Sequence, residues 1–178
     1  MKDVSGRTAL LRATVAVVAA GGLRALTYRA VAAEAGVSHG LVRHHFGTRD
    51  QLVAEAMEYA IDESLRESNM LRDALTVEEF AGGIESLADR EAEIQSFQYE
   101  LLLESRRRAE LRPLADRHYS AYREAITRQL HRLGVVDDDL TELIWYALDG
   151  IVFKQLVAPD DVTPALGRIR RLIDAAKV

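Results

Sequence analysis

Apolar positions recur every three or four residues along nearly the whole chain and nowhere alternate strictly, which predicts helices and no strands. Leu10, Leu11, Thr14, Val17 and Val18 share one face of a first helix at about 7–20, and Gly21-Gly22 stops it. Thr27 caps a short helix at 28–34, with Ala30, Val31 and Ala33 or Ala35 inward, and Gly36 ends it. Ser38 caps a second short helix at 39–45. Thr48 and Gln51 form a capping box for a long helix that runs to about Leu71. Thr76 and Glu79 form another, ahead of helices at 77–89 and 91–109. Pro113 marks a break or the start of a helix to 133, with His118, Tyr122, Ile126 and Gln129 on one side. Asp139 and Glu142 open the segment 140–157, whose wide stripe holds Leu140, Leu143, Ile144, Ala147, Leu148, Ile151, Val152 and Leu156, while Trp145, Tyr146 and Phe153 lie outside it. A helix apolar nearly all round is buried on two sides, one by its own core and the other by a second subunit. Thr163-Pro164 opens a last helix with Ile169, Leu172 and Ile173 on one face. The expected fold is all-α with about nine helices: a helix-turn-helix head at 1–48 and a helical body at 49–178.

Charge changes the picture. The net charge is −5, yet residues 1–50 carry seven Lys/Arg against three acids, a surplus of +4, and the remainder stands at −9. A basic segment on an acidic body suits a polyanion-binding head whose body repels the same polyanion. The absence of cysteine excludes disulfides and thiolate metal sites. No secretory signal and no run of membrane-spanning length are present, so a cytoplasmic protein is expected.

Two helices of about two turns, joined through Ala35-Gly36-Val37, make a helix-turn-helix. Three runs carry a denser signal. Arg7-x-x-Leu10-Leu11-x-Ala13 opens the first helix and Gly22 closes it. Thr27-x-Arg29-x-Val31-Ala32-x-x-Ala35-Gly36-Val37-Ser38 spans the second helix and the turn. Gly40-x-Val42-x-x-His45-Phe46-x-Thr48-Arg49-Asp50-x-Leu52 spans the third helix and the next start. From Arg7 to Leu52 the chain resembles the tetracycline-repressor (TetR) family. Beyond it, Ala147-Leu148-Asp149-Gly150-Ile151 looks like the family's dimer helix. The resemblance implies a homodimer joined through the last two long helices, a small-molecule effector pocket in the body, a double-stranded DNA operator, and repression released by the effector. Two positions depart from the family: Arg43 stands where Tyr is usual, and Arg49 replaces a common Lys.

The residue chemistry fits DNA on its own terms. A helix of about seven residues is roughly 10 Å long, enough to enter a major groove. Val42 and Phe46 face the head's core, which leaves Ser38, His39, Leu41, Arg43 and His44 outward. Gly40 permits close approach of backbone to DNA, or close packing on the preceding helix. Thr27 and Thr48 present hydroxyls and free N–H groups at helix starts, and Arg29 and Arg49 suit phosphate. His45 matches a family position that meets the DNA backbone. Arg43 can pair bidentately with guanine.

No metal site or cofactor is expected. His44 and His45 are adjacent on a helix and point about 100° apart, too far to share one ion. An enzyme on a helical bundle finds no phosphate loop, His-Glu-x-x-His, Gly-x-Ser-x-Gly or Glu-x-x-His in the chain. An adaptor whose head meets protein is the other alternative, and weak salt dependence of binding would mark it. Met57, Ile61, Leu87, Phe97, Leu101, His118, Tyr122, Trp145 and Asp149 are the candidate effector-pocket residues. Their apolar majority suits a hydrophobic or aromatic ligand. Most of these also read as ordinary packing residues, His118 as a core histidine among them. The run Arg106-Arg107-Arg108 reads as a solvated helix end.

Overall fold

The computed structural model describes residues 2–72, 76–87 and 92–177. Among them stand eight α-helices and no strand: α1 (Lys2–Gly21), α2 (Tyr28–Glu34), α3 (His39–Phe46), α4 (Arg49–Glu67), α5 (Ala92–Ser105), α6 (Arg112–Arg132), α7 (Asp138–Val157) and α8 (Thr163–Ala175). The chain forms two compact units, Met1–Asp62 with Ser96–Asp116, and Glu63–Gln95 with Arg117–Val178.

In the first unit the apolar stripe of α1 is buried through Leu10, Thr14 and Val18, while Leu11 and Val17 are half-buried. Val31 and Ala32 are the buried residues of α2; Ala33, expected inward, is exposed. Leu52, Val53, Ala56, Met57, Ala60 and Ile61 of α4 and Phe97 and Leu101 of α5 complete this core. The turn after α2 is a Schellman motif. Gly36 takes φ 66°, its N–H reaches the Ala33 carbonyl at 3.2 Å, and the Val37 N–H reaches the Ala32 carbonyl at 2.9 Å. An added Cβ on Gly36 would meet nothing within 4 Å, so backbone conformation, not close helix approach, requires glycine there.

In the second unit α6, α7 and α8 bury Ala125, Ile126, Leu130, Ile144, Leu148, Leu166 and Ile173. Asp137, rather than Asp139, caps α7, accepting from the Leu140 N–H at 2.9 Å. The expected helix at 77–89 does not form across its described part. The capping box is made on both sides, Thr76 N–H to Glu79 at 3.0 Å and Glu79 N–H to Thr76 Oγ1 at 3.3 Å. Ala81 at φ 57° and Gly83 at φ 97° then break the helical path, leaving turns and a short 3-10 helix, Ile84–Ser86. Its expected end and the start of the helix expected at 91 lie outside the described residues. α4 ends at Glu67, earlier than its stripe suggests, because Asn69 (φ 61°) makes a second Schellman turn.

Gln129 holds that turn from the core. It is fully buried, and its Nε2 donates to the carbonyls of Met70 and Arg72, both at 2.8 Å. Gln129→Ala removes those donors and should cost about 2 kcal/mol of unfolding free energy, read from urea titration, with the slope unchanged.

Candidate nucleic-acid interface

α2 and α3 each bury one narrow face, Val31 and Ala32 on the first, Val42 and Phe46 on the second. The expected interface residues Thr27, Arg29, Ser38, His39, Gly40, Arg43, His44 and Thr48 are all exposed, and Leu41 and His45 are half-buried. Thr27 Oγ1 accepts from the Ala30 N–H at 3.1 Å, and Thr48 Oγ1 from the Gln51 N–H at 3.1 Å. Gln51 completes no reciprocal cap, because its amide donates to Glu55 at 2.8 Å. Ser38 stands exposed at the N-cap of α3 without a side-chain bond to the helix. A Cβ on Gly40 would meet nothing nearer than Ser38 Oγ at 4.0 Å. Packing against α2 therefore does not explain this glycine.

The head's arginines divide into two sets. Arg7 pairs with Glu55, donates to the His45 carbonyl at 3.0 Å and lies 4.7 Å over the Phe46 ring. Arg49 donates to the carbonyls of Leu23 at 2.8 Å and Leu26 at 3.4 Å. These two bind the head together, so Arg49, expected on phosphate, has its guanidinium committed inside the fold. Arg24, Arg29 and Arg43 are exposed, with no hydrogen bond or ion pair among the described residues. Arg24, which follows Gly22 outside the periodic helices, was not among the expected contacts. Tyr28 OH, donating to the Gly47 carbonyl at 2.9 Å, ties the start of α2 to the end of α3.

Of the expected pocket residues, Met57, Ile61, Phe97 and Leu101 are core residues of the first unit. Leu87, buried, and Asp149, half-buried, belong to the second unit. There His118, Tyr122 and Trp145 come together with Tyr119. The Tyr122 and Trp145 rings stack at 5.6 Å with planes 7° apart, and His118 lies 4.7 Å from Tyr122 and 6.4 Å from Trp145. Burial, then the Asp149 carboxylate, raises the Tyr119 hydroxyl above its ordinary pKa. His118 is 3 % exposed, and neither ring nitrogen has a hydrogen-bond partner among the described residues. It is thus not the satisfied core histidine that its position on the stripe suggests. Burial pushes its pKa down to about 4, so the ring is neutral and offers one donor and one acceptor.

The dimer face needs correcting. Ile144, Leu148, Val152, Ile169 and Ile173 are buried within the protomer, and Leu140, Ile151 and Leu172 are half-buried. The apolar side chains that α7 leaves in solvent are Leu143, Tyr146, Phe153 and Val157. Their spacing puts them on one face; Tyr146 and Phe153 were expected off the apolar stripe, whereas Leu143, expected on it, is exposed.

A family model described as tetracyclin repressor-like, C-terminal domain, matches residues 72–176, and one described as bacterial regulatory proteins, tetR family, matches residues 10–56. The chain belongs to the TetR family. It is a DNA-binding transcription regulator, and the enzyme alternative falls with that membership. No curated protein matches the chain. A putative TetR-family regulator from Rhodococcus sp. shares the fold at 21 % identity and TM-score 0.74, covering 98 % of this chain and 100 % of that one. A TetR-family member from Streptomyces coelicolor A3 is similar at 26 % identity and TM-score 0.73, covering 97 % and 98 %. The multidrug binding protein EbrR, solved with proflavin, is similar at 27 % identity and TM-score 0.62, covering 94 % and 99 %. No helix among the described residues is long and apolar enough to cross a membrane.

The buried imidazole has a consequence for stability. Its pKa is lower folded than unfolded, so the unfolded state takes up the proton first as pH falls. Stability should fall from about pH 6.5 toward pH 4, by on the order of 2 kcal/mol at pH 5. His118→Phe should flatten that part of the profile when melting is followed against pH.

Proposed function

We propose that this TetR-family regulator is a cytoplasmic repressor that holds its operator as a homodimer and releases it when a small aromatic molecule binds the body. The head at 1–48 reads DNA and the body at 49–178 senses and dimerises. The observation that carries the DNA reading is the sorting of the head's polar groups. Arg7 and Arg49 are tied into the fold, whereas Arg29, Arg43, His39, His44 and Ser38 are exposed, as is Gly40. Thr27, Arg29 and Thr48 suit phosphate; Ser38, His39, Leu41, Arg43 and His44 suit the groove floor. The His45 ring suits the DNA backbone as well, while Arg49 holds the start of α4 against the Leu23–Leu26 segment.

Dimerisation through α7 is supported by Leu143, Tyr146, Phe153 and Val157, which are 57, 61, 47 and 66 % exposed. Gly150 lies among them within the helix, exposed, and an added Cβ there would meet nothing within 4 Å. A helix-interior glycine without a packing role inside the protomer suits the close approach of a partner helix. Two heads so joined would occupy successive major grooves about 34–36 Å apart. For the effector, the Tyr119, Tyr122 and Trp145 rings offer flat apolar walls, and His118 offers unused hydrogen-bonding capacity. The proflavin-bound relative EbrR supports a flat aromatic ligand.

Selection of genomic fragments with the purified protein, followed by titration at several salt concentrations, tests the reading. A palindromic site bound in the nanomolar range with steep salt dependence is expected; failure to enrich any fragment would defeat it. Arg29→Ala should weaken binding to all sequences and lower the salt slope by about one, whereas Arg43→Ala should cost about 1–3 kcal/mol on the operator and relax its specificity. Phe153→Asp should yield monomers in sedimentation and lose the operator, while a dimer that survives it would remove α7 from the interface.

A further inference from the structure

Leu23 sits in the connection between α1 and α2, is 1 % exposed, and is gripped from two sides. Its carbonyl accepts from Arg49 Nη2, at the first residue of α4, at 2.8 Å. Its N–H donates to Glu100 Oε1, on α5, at 3.0 Å. The two helices thus share one peptide segment. Glu100 itself is half-buried, between Phe97 and Leu101, which are 0 and 2 % exposed and fix where its carboxylate stands. Gly22, at φ 69°, leaves room for that carboxylate, since a Cβ there would come within 2.7 Å of Oε1. The clamp lies directly ahead of Leu26, whose carbonyl also accepts from Arg49, and of Thr27, the cap of α2. Whatever moves this segment moves the first phosphate-facing residues, Thr27 and Arg29, and the helix-turn-helix that follows.

We propose that Glu100 is a positioning residue for operator binding: through its hydrogen bond with Leu23 N–H, α5 sets where α2 and the recognition helix α3 stand. This rests on the regulator reading above. It adds a residue that touches no DNA and lies outside the matched head. A carboxylate beside a polyanion-binding head lowers affinity if it acts by charge alone. A positioning carboxylate does the opposite, and its amide isostere keeps the oxygen that Leu23 needs.

The test uses the full-length protein and the fragment enriched by the wild type. Glu100→Ala should raise the operator dissociation constant about tenfold and speed exchange of the Leu23 amide by a similar factor, as expected for one lost hydrogen bond. Glu100→Gln should stay within about twofold of wild type on both. Glu100→Asp, which keeps the charge but is one methylene too short to reach the Leu23 N–H in place, should behave like Glu100→Ala and serves if that variant fails to fold. Operator affinity unchanged in Glu100→Ala or Glu100→Asp would overturn the proposal, as would Glu100→Gln binding as weakly as Glu100→Ala. A wild-type protein that enriches no fragment would instead defeat the regulator reading on which this one stands.

Discussion

A recognition helix of two turns cannot hold its own conformation in water, and that constraint shapes the head. α3 leaves one face bare, so it is secured through what remains: two buried side chains, Val42 and Phe46, and the connections at its ends. The Schellman turn at Gly36 fixes its approach from α2, and Tyr28 bonds to the carbonyl of Gly47 just past its end. Arg7 lies over Phe46 and bonds the His45 carbonyl, so α1 holds the last turn directly. The bare face is affordable because so many contacts converge on the hidden one.

The same logic explains which arginines are free. A guanidinium can bridge carbonyls inside a small domain or meet phosphate outside it, and the two uses compete. Arg49 bridges Leu23 and Leu26, so the connection between α1 and α2 is held by α4, while Arg29 and Arg43 keep their capacity for a partner. In the second unit the free capacity is of another kind. Among the described residues His118 has no hydrogen-bond partner for either ring nitrogen, beside a wall of aromatic rings, a cost that a ligand able to donate and accept would offset.

Local signals in the sequence located α2, α3, the end of α1 and the start of α4, because Thr27, Gly36 and Thr48 act on their immediate neighbours, although α1 begins earlier than its stripe and Ser38 makes no side-chain cap. Non-local facts stayed hidden. The bond between Leu23 and Glu100 joins residues 77 positions apart, and no periodicity announces it. α7 is apolar on two sides, so its pattern could not say which side the protomer keeps; packing gave Ile144 and Leu148 to the core and left Leu143 and Tyr146 outside. At Thr76 a well-formed capping box led to no α-helix, since the left-handed Ala81 and Gly83 outweigh a favourable start. The charge contrast along the chain pointed to the head correctly but could not sort Arg49 from Arg43.

Amide hydrogen exchange of the full-length protein, with and without its selected operator, tests the central claim most directly. Protection confined to the peptides holding Thr27–Arg29 and Ser38–Thr48, with α6 exchanging as before, is the predicted outcome. Protection of α6 with no change across Ser38–Thr48 would contradict a recognition surface built on α2 and α3.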